Sequence, residues 1–229
     1  MLESKILDVI NQTRHRKNNA NNTINVLLTS YFPVALKLRP AGLYRLDEFS
    51  HEIDDISPEE KSIADKLGLA LVPWSTLNDH LQPKYHWYFV ISKDNSDSKE
   101  QIRTLLYSMY DIIESVGRIL DYPKCCVKSA ADDAMIGLVS DRRATEHVNL
   151  YKSQNRKIDS LVYYTWGLIP CKPNCSKALE KGRIIYSAYK KINPGIAKTY
   201  KAVCKNWIEV MGRVAQEPAE KLFISVDKI

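Results

Sequence analysis

The sequence predicts an α+β (or α/β) protein, with a small mixed sheet and helices in its N-terminal part and a helical C-terminal part that carries cysteine loops. Three observations lead there. Runs rich in β-branched and aromatic residues lie before residue 95, three- and four-residue apolar repeats dominate after it, and two proline-flanked cysteine groups interrupt the helical half. The expected division is an α/β subdomain over 1–95 and a mainly helical subdomain over 96–229. Nothing of low complexity separates the two, so the second is expected to pack closely on the first.

Leu2, Ile6, Leu7 and Ile10 fall at helical spacing and predict an opening helix over about 2–12, before the polar run RHRKNNANN, which reads as a surface loop. INVLLTSYFPVALKL and AGLYRLDEF follow, rich in branched and aromatic residues, and predict short strands with an edge or bulge at the prolines. Ser57-Pro58-Glu59-Glu60 places a capping hydroxyl, a proline at the first helical position and two acids where the helix dipole favours them. A helix over about 58–67 should then stop at Gly68. LALVPW and YHWYFVIS predict strands. From 98 to 120 the apolar residues repeat at helical steps, and the helix should end at Asp121-Tyr122-Pro123, because a residue before proline avoids the α region. Further helices are expected at about 127–138, 141–153, 176–192 and 195–213, with Asn193-Pro194 separating the last two.

The 229 residues are enough for one large domain or two small ones, and 45% hydrophobic against 26% charged residues excludes a disordered, collagen-like or coiled-coil chain. No run approaches the roughly 18 apolar residues of a membrane span, and the start lacks the apolar core of a signal peptide, so a cytoplasmic location is expected. The net charge is +6, unevenly placed. Segment 1–150 carries −3, 151–205 carries +10 and 206–229 carries −1, so RNA or another polyanion would be met at 151–205. Phosphate neutralisation combined with stacking on interleaved tyrosines would suit RNA, although Ala178, Gly182, Ile185, Tyr189 and Ile192 form one helical stripe that needs its aromatic for packing. Lys172, Lys177, Lys181 and Arg183 are the nucleic-acid-binding candidates, being nearest the second cysteine group.

Five cysteines are too few and too odd in number for a secreted disulfide scaffold. Four of them form Tyr122-Pro123-Lys124-Cys125-Cys126 and Pro170-Cys171-Lys172-Pro173-Asn174-Cys175, each where a helix should begin. Proline stiffens such a loop, and unpaired N–H groups at a helix N-terminus stabilise thiolate. Zinc needs sulfurs roughly 3.8 Å apart, at Zn–S of about 2.3 Å, and adjacent cysteines with diverging side chains suit one small ion poorly. A [4Fe–4S] cluster offers each cysteine its own iron, so the sequence favours a cluster on Cys125, Cys126, Cys171 and Cys175, with zinc as the alternative. Cys204 lies mid-helix beside an apolar face and reads as a core thiol.

LDYPKCCVKS, followed by IPCKPNCSKALEKGRIIYSAYKKINPGIA, resembles an uncharacterised archaeal and bacterial family of unknown function whose members carry YPxCC and PCxxxC elements before a helix. The resemblance spans most of 118–200, with weaker echoes in KLGLALV and HWYFVISKD, and implies that the four cysteines act as a set. It supplies no reaction.

Other residues carry less. The histidines show no paired ligand spacing: His86 reads as a packed or edge residue, while His15, His51, His80 and His147 are expected on the surface. Asp54-Asp55, Glu59-Glu60 and Asp132-Asp133 read as solvated caps or faces, and no P-loop, dinucleotide-binding or serine-hydrolase motif occurs. The leading expectation is an iron–sulfur protein, which as an enzyme would act on RNA or another anionic substrate. The alternatives are a noncatalytic, zinc-stabilised RNA-binding module and a protein–protein adaptor with free thiols.

Overall fold

The computed structural model describes residues 2–14, 24–46, 56–74, 86–104, 112–135, 141–153, 158–165 and 168–214. They belong to two compact units, Met1–Tyr122 and Pro123–Ile229. The boundary expected at 95/96 falls inside the first unit, because the helices that follow it cover that unit's sheet.

Unit one is built on three strands, β1 (Ala41–Leu46), β2 (Leu69–Trp74) and β3 (His86–Ser92), in the order β1-β3-β2. The sheet is antiparallel throughout rather than mixed, with Ala41 opposite Ile91 and Leu71 opposite Val90. Alternation sends Phe89 and Ile91 to one face, where Ala41, Leu43, Ala70 and Val72 join them. Ile102 of α4 (Ser96–Thr104) and Ile119 of α5 (Ile112–Ile119) close this core. These two helices occupy the span read as one helix over 98–120. Residues 105–111 between them lie outside the described residues.

One expectation fails outright. INVLLTSYFPVALKL is helical, with a π-helical turn at Leu27–Tyr31 running into α2 (Phe32–Ala35). Leu27, Leu28, Tyr31, Phe32 and Val34 are all buried, and Thr29 and Ser30 with them, so the segment is enclosed around its circumference, and a short run of that kind has no periodicity to separate helix from strand. Pro33 cannot donate back to the preceding turn, and the Thr29 carbonyl four residues earlier accepts instead from Arg39 Nη1 at 3.1 Å. The Ser30 hydroxyl donates to the Leu43 carbonyl at 2.6 Å, tying this segment to β1.

The remaining elements of unit one match their local signals. Helix α1 covers Leu2–Arg14. Helix α3 (Pro58–Lys66) starts with a complete capping box between Ser57 and Glu60, and Gly68 ends it in the left-handed region at φ 72°. Past α5, Asp121 turns the chain at φ 54°, and the buried Arg39 guanidinium donates to the Leu120 carbonyl from Nε at 3.3 Å and Nη2 at 2.9 Å. That pairing satisfies a carbonyl the helix end leaves open.

Unit two is helical. Its elements are α6 (Lys124–Met135), α7 (Asp141–Ser153), a 3-10 turn (Ser160–Tyr163), α8 (Ser176–Ile192) and α9 (Pro194–Val214). Ala178, Gly182, Ile185 and Tyr189 form the buried stripe of α8, which packs on the 3-10 turn and on α9. Tyr189 and Tyr200 meet edge to face at 5.1 Å, and the Tyr200 hydroxyl donates to the Tyr164 carbonyl at 2.7 Å. Asn193 is extended and accepts from the Gly195 N–H, so α8 and α9 are separated by one residue. No helix among the described residues is long and apolar enough to cross a membrane.

Candidate metal centre

The two cysteine groups, 44 residues apart in sequence, converge in unit two. Pro123 fixes the entry to α6, its carbonyl accepting from the N–H groups of Cys126 and Val127 at 2.8 and 3.0 Å. The helix therefore begins three residues earlier than its apolar spacing indicates, and Cys125 and Cys126 lie in its first turn rather than in a preceding loop. The second group is a tight turn in which the Cys175 N–H donates to the Lys172 carbonyl at 3.0 Å. Cys175 is the N-cap of α8, its carbonyl accepting from the Leu179 N–H. Both groups thus place sulfur at a helix N-terminus, where the dipole favours anionic ligands.

The four sulfurs all lie within 4.8 Å of one another. Cys125 Sγ and Cys126 Sγ are each 3.7 Å from Cys175 Sγ, and the Cys171 N–H donates to Cys126 Sγ at 3.4 Å. No disulfide joins them, since all five cysteines are free. Cys126 and Cys175 are buried, while Cys125 and Cys171 are partly exposed. Burial raises the Cys126 thiol far above its ordinary range, against an opposing backbone donor at Cys171. Burial and the neighbouring sulfurs push Cys171 up to about 11. Burial also opposes ionisation of Cys175, but the Ala178 N–H and hydrogen bonding with the sulfurs of Cys126, Cys125 and Cys171 hold its pKa below the ordinary thiol value. A cation at the centre would replace the thiol protons.

Cys204 stands apart from this set. It is buried in α9, burial pushes its thiol up to about 12, and it fits the core reading.

The chief residue that sequence reasoning misplaced is His147. It was expected on the surface, yet it is only 1% exposed, with Nδ1 2.8 Å from the Tyr163 hydroxyl. Burial and the nearby Arg143 cation lower its pKa to about 4. Nothing in the spacing of α7 marks it, because what buries it is the distant 3-10 turn. Arg143, also buried, pairs with Asp133 and donates to the Ser129 carbonyl of α6, so Asp133 is a structural partner rather than a solvated acid. His86 lies on β3 with its side chain outside the described residues, as are His15, His51, His80 and Asp54-Asp55 entirely.

Of the basic candidates, Lys172, Lys177 and Arg183 are exposed and Lys181 is partly exposed, with Arg183 ion-paired to Asp159 at 3.3 Å. Tyr163, Tyr164, Tyr189 and Tyr200 are buried, so these rings are packing residues and not stacking platforms. Tyr151's side chain and Trp166 lie outside the described residues.

Fold and site together define an α+β protein whose helical unit gathers four cysteines that could hold a metal ion. Residues 98–201, which include both cysteine groups, match the family described as "Protein of unknown function (DUF483)". Over 83 residues the chain is 35% identical to "Uncharacterized protein MJ1106" of Methanocaldococcus jannaschii. That alignment covers 35% of this chain and 43% of the relative, so the chain spans less than half the length of the relative it matches. The similarity read from YPxCC and PCxxxC is thus to a family of unknown function, as expected. No solved structure matches the chain.

Proposed function

We propose that the protein holds one zinc ion on Cys125, Cys126, Cys171 and Cys175, in a closed site that fastens the start of α6 to the turn before α8. The sulfur spacing carries this reading. Four thiolates about 2.3 Å from a single zinc stand roughly 3.8 Å apart. Two of the distances here are 3.7 Å and none exceeds 4.8 Å. In a cubane each sulfur sits on its own iron, which spreads the four over a wider shell. The sequence ranked a [4Fe–4S] cluster first because neighbouring cysteines diverge. Placed in the first turn of a helix, both nevertheless come within 3.7 Å of Cys175, which supports the single ion. Four protein ligands leave no open position for water or substrate, the arrangement of structural zinc sites.

The test is metal and acid-labile sulfide analysis of the chain purified without oxygen. The expected outcome is colourless protein with one zinc per chain and no sulfide. Brown protein with iron and sulfide in equal amounts would establish the cluster and overturn the zinc assignment. Metal-free protein of equal stability would favour the adaptor with free thiols.

A second observation favours RNA as the partner of the helical unit. From Lys172 to Lys205 the exposed charged residues are eight basic and one acidic, Glu180. Four thiolates on a divalent ion carry a net −2, and Lys172 and Lys177, beside the cysteines in sequence, can neutralise part of it. Arg183 is ion-paired to Asp159, and the exposed Lys190, Lys191, Lys198, Lys201 and Lys205 farther along α8 and α9 suit a phosphate backbone. With the described tyrosines mostly buried, contact would be electrostatic. Binding of a labelled single-stranded RNA should therefore weaken steeply with salt. Charge reversal at Lys177 and Lys181 together should flatten the slope of log K against log salt by about 1.4, at roughly 0.7 per phosphate contact. Salt-insensitive binding, or none, would remove RNA from the proposal.

A further inference from the structure

We propose that α7 is the strut that preforms the thiolate set, with Arg143 positioning the segment that carries Cys125 and Cys126 and His147 positioning the segment that carries Cys171. This rests on the metal reading above, and goes beyond it by assigning two positioning residues outside the ligand set.

Arg143 and His147 are one turn apart on α7, and both are buried. Arg143 reaches the Ser129 carbonyl and the Asp133 carboxylate, which lie one and two turns beyond Cys125 on α6. His147 reaches the opposite way. Its Nδ1 meets the Tyr163 hydroxyl at 2.8 Å, and the two rings pack edge to face at 5.8 Å. The Pro170 carbonyl, one residue before Cys171, lies against the imidazole and favours its charged form, yet Nε2 is buried and completes no hydrogen bond.

One tautomer suits this arrangement. Burial keeps the Tyr163 hydroxyl protonated and able to donate to Nδ1, and with that donor the neutral imidazole carries its proton on Nε2. A buried N–H without an acceptor is unfavourable, and the Pro170 carbonyl is the acceptor at hand. Closing that bond fixes the backbone beside Cys171, just as Arg143 fixes the helix behind Cys125 and Cys126. Residues that orient ligands from outside the coordination shell typically change metal affinity by about 10- to 100-fold when removed.

The experiment measures zinc affinity of the full chain by chelator competition, together with the cobalt(II) absorption spectrum, for wild type, His147→Ala, His147→Gln and Tyr163→Phe. His147→Ala should bind zinc roughly tenfold or more weakly and shift the cobalt ligand-field bands. His147→Gln, whose amide can accept from Tyr163 and donate to Pro170, should recover most of the affinity, and Tyr163→Phe should fall between. A His147→Ala chain that loses thermal stability but keeps wild-type affinity and spectrum would reduce the histidine to packing and overturn the proposal. If that variant does not fold, equal affinities across wild type, His147→Gln and Tyr163→Phe overturn it instead. Wild-type chain that takes up neither zinc nor cobalt would sink the metal reading itself, a separate outcome.

Discussion

Replacing Gly182 with alanine sets two known effects against each other, and the structure decides between them. In an exposed helix interior the change would stabilise by about 0.8–1.0 kcal/mol, because alanine loses less backbone entropy. Gly182 is instead on the buried face of α8, where a Cβ would stand 1.9 Å from the Leu161 carbonyl oxygen, 2.8 Å from the Leu161 carbonyl carbon and 3.1 Å from Tyr164 Cβ. Helix and turn would have to part by more than 1 Å before the first contact reached 3.0 Å. The obstructing atoms are backbone, and the turn is pinned by the Asp159 side chain on the Leu161 N–H and by four buried residues, so no rotamer change relieves the overlap. Overpacking of this kind costs about 1–3 kcal/mol, and a backbone obstacle belongs at the upper end. After the helix-propensity gain, a net loss of about 2 kcal/mol remains, or roughly 4–8 °C in Tm for a chain of this size. Urea and thermal unfolding of the full chain would measure it, with Ser187→Ala on the exposed face of α8 as the control. Gly182→Ala as stable as wild type would refute the reasoning, since α8 could then not be pressed against the turn.

Three further outcomes can be checked with similar effort. Serine at Cys125, Cys126, Cys171 or Cys175 should each leave the chain with less than one metal, whereas Cys204→Ala should leave the metal content intact; metal retained in all four serine variants would count against a shared site. His147 has a folded pKa of about 4 against an ordinary 6.5, so its contribution is complete above pH 6.5 and is lost as pH falls toward 4, by roughly 3 kcal/mol in total. Stability followed across that window should slope in wild type and flatten in His147→Gln; identical slopes would show that another group titrates. Ser57→Ala removes the hydroxyl that accepts from the Glu60 N–H, while leaving the backbone N–H that donates to the Glu60 carboxylate, and should destabilise by about 1 kcal/mol in urea unfolding; an unchanged midpoint would mean that water caps the helix equally well.

Local chemistry was legible in the sequence. Ser57 with Glu60, Gly68 at φ 72° and Asn193-Pro194 each act within a few residues, so the ends of α3 and the break between α8 and α9 could be read from the chain alone. So could β1, β2, β3 and the buried stripe of α8, because branched and aromatic content marks a strand and helical spacing records which face meets a core. The pairing of prolines with cysteines also identified the four sulfurs. Where an element is buried on all sides, as over Leu27–Tyr31, that record is blank, and only the sheet packed beside it shows that the segment is a helix.

The sequence by itself determined which side chains are able to bind metal, since thiol chemistry and helix starts are local properties. Tertiary structure alone decided that sulfurs separated by 44 residues stand within 4.8 Å of one another. It alone decided that His147 is buried against Tyr163 and that α8 leaves no room for a methyl at Gly182. Each of these depends on the distance between segments far apart in the chain, and a residue's own neighbours carry no information about such distances.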